Sequence, residues 1–165
     1  MSELLEGLGP VVDANTRLIV LGSFPGVASL RAQQYYGHPR NHFWPILASL
    51  WRLDLTSATY ADRLAAAREH GVGLWDVYAS CERAGSLDRA IANARLNDLS
   101  GLQRGAAKLE AIVHNGGEAA RAMRTTAALG VPVYRLPSTS PANASWSFTR
   151  KLAAWRAVFE RHGVA

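Results

Sequence analysis

Four short apolar runs in this chain each stop abruptly at a glycine-rich or polar loop, and this pattern limits the possible folds most. Arg17–Leu21 (RLIVL) ends at Gly22-Ser23-Phe24-Pro25-Gly26. Val72–Val77 runs into YASCERAG, Ala111–Asn115 into Gly116-Gly117, and Val133–Leu136 into PSTSPAN. Helical periods fill the intervals. The spacing predicts helices over Phe43–Leu53, with Pro45 tolerated in the first turn, and over Ser57–His70, stopped by Gly71. It predicts further helices over Asn97–Gly105, over Glu118–Leu129 before Gly130, and over Ser145–His162. The last would present Trp146, Leu152, Trp155, Val158 and Phe159 on one face. Strands alternating with helices imply an α/β fold of three layers, α/β/α, around a central, mostly parallel four-stranded sheet. The carboxyl ends of such strands share one edge, so the four loops should converge on one cleft.

The 165 residues suit a single domain spanning 1–165 with a sizeable core, and 48% apolar content marks it as globular. No apolar stretch is long enough to span a bilayer, and the acidic, mixed N-terminus is not a signal peptide. A cytoplasmic location is expected. The one cysteine, Cys81, excludes an internal disulfide framework and a four-cysteine iron–sulfur cluster. The histidines lack metal-ligand spacing, so neither a metal site nor a cofactor is expected. A net charge of +5, carried by arginine except at Lys108 and Lys151, is compatible with nucleic acid.

The loop after the first strand carries the most chemistry. Its GSFPG turn is neither a dinucleotide fingerprint nor a P-loop. It continues into a segment rich in Tyr, His, Arg and Asn, which suits a planar aromatic ligand attached to phosphate. Residues 21–44, LGSFPGVASLRAQQYYGHPRNHFW, resemble motif 1 of the uracil-DNA glycosylase superfamily. The likeness is closest to the hypoxanthine-DNA glycosylase branch and to the mismatch-specific uracil/thymine branch. Leu136–Asn143 (LPSTSPAN) resembles that superfamily's second DNA-contacting motif. The resemblance covers most of the chain, although the middle matches only in pattern.

The resemblance implies a DNA glycosylase that flips a deaminated base out of duplex DNA and hydrolyses its N-glycosidic bond. Asn41 would be catalytic, holding the attacking water through its amide oxygen; it is equally placed to cap the following helix. Gly22, Ser23, Phe24, Tyr36, Gly37, His38 and Asp76 would face the base. Tyr36 would stack on it, Gly37 would leave room, and the Asp76 carboxylate would accept the N1 proton of hypoxanthine. Arg40, His42, Ser138, Thr139, Ser140, Pro141 and Ala142 would contact DNA, the serines and threonine through hydroxyls and exposed backbone N–H groups. The partner would be double-stranded DNA containing a damaged or mismatched base, bound by a monomer. Two departures from the family's pattern stand out. Phe24 occupies a position where most branches carry Asp, Glu or Asn, and Leu136 one where several carry His or Asn. Phe24 favours hypoxanthine as the substrate. The departures also leave open a non-catalytic DNA-binding module, and the scaffold alone leaves open a small-molecule enzyme such as a nucleoside hydrolase. No motif lysine suggests a Schiff base, which implies a monofunctional enzyme.

Overall fold

The structure is a computed structural model and describes residues 3–165. In chain order it contains strand β1 (Leu4–Glu6), β2 (Leu18–Gly22), helices α1 (Val27–Ala32), α2 (Phe43–Trp51) and α3 (Tyr60–Glu69), then β3 (Val72–Asp76), β4 (Tyr78–Glu82) and β5 (Ala92–Leu96). There follow α4 (Leu102–Gly105), β6 (Ala111–Asn115), α5 (Gly117–Ala120), α6 (Met123–Ala127), β7 (Val133–Leu136) and α7 (Phe148–Arg161).

The expected sheet is present, with four parallel strands in the order β3-β2-β6-β7. Leu18 of β2 sits opposite both Val72 of β3 and Ala111 of β6. Successive side chains of a strand point to opposite faces, and both faces here are covered. Leu18 and Val20 therefore join one core with Phe43, Trp44, Ala67, Trp155 and Phe159 from α2, α3 and α7. Ile19 and Leu21 join the other, with Leu99, Leu102, Ala119 and Ala122. This double burial explains why β2 is apolar throughout rather than alternating.

The chain leaves β2 toward β3 on one side and later returns through β6 on the other. The carboxyl ends of β2 and β6 thus flank a topological switch point, where an open α/β sheet leaves a crevice.

Several elements differ from the sequence expectation. YASCERAG is not simply a loop; its first five residues form β4, the centre of a second, antiparallel sheet in the order β1-β4-β5. Helix α1 lies within the stretch after GSFPG that reads as a loop. Residues 118–129 form α5 and α6 rather than one helix. The Thr126 hydroxyl is drawn inward onto His114 Nε2 at 3.0 Å, which ties this turn to β6. The last helix starts at Phe148 under a Ser147 cap, whose hydroxyl accepts from Arg150 N at 3.2 Å. Trp146 therefore precedes the helix, and its ring lies 4.1 Å beneath the Arg150 guanidinium. No helix among the described residues is long and apolar enough to cross a membrane.

Candidate active site

A cleft of about 720 Å³ opens at the carboxyl edge of the parallel sheet. The GSFPG turn, Asp76 at the end of β3, Asn115-Gly116-Gly117 at the end of β6 and residues 135–143 all line it. The predicted convergence of four loops holds with one change. The third wall comes not from the residues directly after β3 but from Ser86, Leu87 and Asp88, beyond β4. Three bonds staple that wall to the GSFPG region. The Ser23 hydroxyl donates to Asp88 Oδ1 at 2.6 Å, Arg83 donates to Pro25 O at 2.6 Å, and Val27 N–H donates to Ser86 Oγ at 2.9 Å.

The floor of the cleft is polar and unsatisfied. Asp76 is 4% exposed, and its Oδ2 has no hydrogen-bond partner; neither has the buried Tyr36 hydroxyl. Buried polar atoms rarely remain unpaired. Both groups crowd Gly22, where an added Cβ would lie 2.5 Å from Asp76 Oδ1 and 3.2 Å from the Tyr36 oxygen. Glycine at position 22 is thus required by these two groups. Burial, reinforced by the nearby Asp88 charge and opposed by Arg83, pushes the Asp76 carboxyl up to about 7. Burial likewise raises the Tyr36 phenol well above its ordinary value, so it stays protonated and can donate. Tyr36 holds a left-handed φ of 56°, and one face of its ring packs on Phe43 at 4.0 Å between centroids. A ligand ring has only its other face to use.

Asn41 lines the cleft, and its Oδ1 accepts from Phe43 N at 2.9 Å, capping α2. The two roles open to it in the sequence are compatible, because an amide oxygen has a second lone pair. His38 also lines the cleft; its Nδ1 accepts from Arg40 N at 3.0 Å, while the Arg40 side chain is exposed.

Gly37 is not part of the cleft wall. A Cβ there would meet Gln34 O at 3.4 Å and Ser29 Cα at 3.5 Å, so it governs loop packing rather than pocket width. His42 turns away from the cleft, its Nδ1 lying 3.2 Å from Lys151 Nζ. Thr139 is 1% exposed, and its hydroxyl accepts from Asn115 Nδ2 at 2.9 Å while its N–H returns to Asn115 Oδ1 at 3.0 Å. It is a strut between β6 and the PSTSPAN loop, with no surface left for a phosphate. The N–H groups of Ser140 and Ala142 are also used within the loop, by Ser138 Oγ and Ser140 Oγ. The Ser138 and Ser140 hydroxyls are placed to donate outward, whereas these two backbone amides are not. Pro141 and Ala142 also line the cleft.

Sequence reasoning missed Asp88, Asn115 and Arg135, all of which line the cleft. Asn115 carries a usable signal as the last residue of a buried strand before Gly116. Asp88 carries none, because β4 and β5 are not visible as strands. Among the described residues no group of three potential metal ligands occurs.

The model of the uracil DNA glycosylase superfamily matches residues 10–159. A hypoxanthine DNA glycosylase of Methanosarcina barkeri (strain Fusaro / DSM 804) is 38% identical over 156 residues, covering 94% of this chain and 98% of its own. One from Methanosarcina acetivorans is 38% identical over 157 residues, covering 95% and 98%. A solution NMR structure of a Methanosarcina acetivorans protein, provisionally named a uracil DNA glycosylase, superposes with a TM-score of 0.88. It is 36% identical, over 97% of this chain and 99% of that one.

Proposed function

The chain belongs to the uracil DNA glycosylase superfamily, and from that premise we propose that it removes hypoxanthine from deaminated duplex DNA as a monofunctional, monomeric enzyme. It is a DNA N-glycosylase, and DNA is its partner. The observation that carries the substrate reading is the cleft floor, where Asp76 Oδ2 and the Tyr36 hydroxyl lie buried without partners. A flipped base supplies a partner for the Asp76 carboxyl. Hypoxanthine presents a lactam edge, with a donor at N1 and an acceptor at O6. A neutral carboxyl group is both donor and acceptor and complements that edge. The free face of Tyr36 stacks on the ring, which contributes on the order of 1–3 kcal/mol.

In the reaction the C1′–N9 electron pair leaves with the base, and the sugar becomes oxocarbenium-like. Protonated Asp76 stabilises the negative charge growing on the base; an ionised Asp76 would oppose it. Water held on the second lone pair of Asn41 adds to C1′ and loses one proton, and the departing base gains one. The products are free hypoxanthine and an abasic site. Phe24, 7% exposed under the Arg83 guanidinium at 5.3 Å, is an apolar wall and has no part in activating water. The Ser138 and Ser140 hydroxyls and the exposed Arg40 bind phosphate. His42 and Thr139 serve that surface from behind.

Single-turnover base release from matched duplexes containing deoxyinosine, deoxyuridine or a G·T mismatch tests this reading. Release at deoxyinosine alone is the expected result. Asn41→Ala should slow it by roughly 10²-fold, and an unchanged rate would remove Asn41 from the mechanism. Uracil is the second reading. It is favoured by the name of the superposed structure and by uracil's own lactam edge, and release at deoxyuridine alone would establish it. Binding without release of any base would indicate a module that has lost the chemistry.

A further inference from the structure

Lys151 sits between Arg150 and Leu152 in α7. It is buried, at 1% exposed. No ion pair among the described residues includes it. Its ammonium reaches two acceptors, His42 Nδ1 at 3.2 Å and Ser140 O at 3.4 Å. These acceptors belong to the two DNA-facing loops: His42 follows Asn41, and Ser140 is the centre of the PSTSPAN turn. The same loops are joined by His42 N–H donating to Thr139 O at 2.9 Å. Trp155, one helical turn along α7, donates to Pro137 O at 3.0 Å, and the Phe148 ring meets the His42 ring edge-on at 5.2 Å.

A buried cation without a counter-ion is destabilising, and its retention calls for a use. Burial lowers the pKa of Lys151. Burial first, and then the Lys151 charge, lower that of His42, so at neutral pH the imidazole is neutral with Nδ1 as an acceptor. His42 is the titratable group facing Lys151 from the first loop. From the second loop it meets the Ser140 carbonyl, and the α7 side chains that pack on these two loops, Phe148 and Trp155, are neutral. Lys151 does not line the cleft, which rules it out as a nucleophile toward a bound sugar.

We propose that Lys151 is a positioning residue whose buried ammonium, shared between His42 and Ser140, locks the two DNA-facing loops in register and takes the phosphate held at Ser138–Ser140 as its counter-ion. The inference rests on the DNA reading for the identity of that anion. The charge lies behind the loop and acts through low-dielectric protein, where it is screened less than the surface arginines.

The chain has only two lysines, and Lys108 is exposed, so lysine labelled with carbon-13 at the ε position gives two distinguishable NMR signals. The free protein and its complex with a duplex bearing a tetrahydrofuran abasic analogue are titrated with base. Lys151 should titrate below the ordinary lysine range in the free protein and rise by roughly one pH unit or more in the complex. An equal midpoint in both states would overturn the proposal. Lys151→Met, checked for a cooperative thermal transition, should weaken duplex binding about tenfold, and Lys151→Arg should recover most of the loss. Wild-type affinity in a folded Lys151→Met protein would likewise overturn it, whatever the loss of thermal stability. A protein that binds and releases base while Lys151 stays unshifted refutes this inference alone. One that binds no duplex refutes the DNA reading and this inference together.

Discussion

Tyr35 and Tyr36 are neighbours with opposite duties, and the difference lies in their hydroxyls. That of Tyr35 donates to Gly9 O at 2.7 Å and is satisfied within the fold; that of Tyr36 has no partner. Asp76 shares this condition, and its raised pKa has a cost. A carboxyl group titrating near 7 in the folded state and near 3.8 unfolded binds more protons when folded between those values. Stability therefore falls as pH rises through that window. Asp76→Asn removes the penalty. It should leave the thermal midpoint unchanged near pH 4 and raise it by a few degrees at pH 8. A midpoint that does not gain with pH would show that Asp76 is not held neutral. The same titration should appear in catalysis, with single-turnover base release falling above about pH 7 in the wild type and losing that step in Asp76→Asn. Asp76 could be picked out in the sequence as the last polar residue of an apolar strand, where an α/β fold places its ligands, whereas Asn41 and Tyr36 were singled out by the resemblance of residues 21–44 to a family motif. Asp88 was not, since its approach depends on a hairpin with no pattern to announce it.

The elements divide by how fully they are buried. Strands β2 and β6 are buried at every position and read as apolar runs, so their existence and their ends were visible. Strand β5 (ANARL) is exposed at every position and gave no alternation to read. Helix α1 has six residues, too few for an apolar period. The loops of the site depend on packing that no local pattern encodes. Thr139, expected at the DNA surface, instead ties β6 to the PSTSPAN loop through two bonds with Asn115. Thr139→Val keeps the shape and removes the acceptor, leaving the Asn115 amide donor buried and unpaired. The expected loss is roughly 1–3 kcal/mol in denaturant unfolding, together with weaker duplex binding as the loop loosens. Conversely, Thr139→Ser keeps the bonds and should bind DNA nearly as the wild type does. If valine binds equally well, the strut does not set the loop.

Over the whole molecule, the charge of +5 matters through its placement. Arg40 and Arg135 are exposed near the cleft and belong to no ion pair among the described residues. Unpaired arginines around a concave site attract a polyanion, and each phosphate they neutralise releases counter-ions. Each such contact adds about 0.9 to the slope of log affinity against log salt concentration. Arg40→Ala and Arg135→Ala together should therefore lower that slope by roughly 2. They should weaken binding by the same factor for deoxyinosine-containing and undamaged duplexes, because phosphate contacts carry no base information. A loss confined to the deoxyinosine duplex would move Arg135, which lines the cleft, from the phosphate set to the base-reading set. An unchanged slope would mean that DNA crosses the molecule on another face. The cleft's unpartnered Asp76 and Tyr36 would then have to be satisfied by a free nucleoside, and salt-independent release of base from deoxyinosine would be the sign of it.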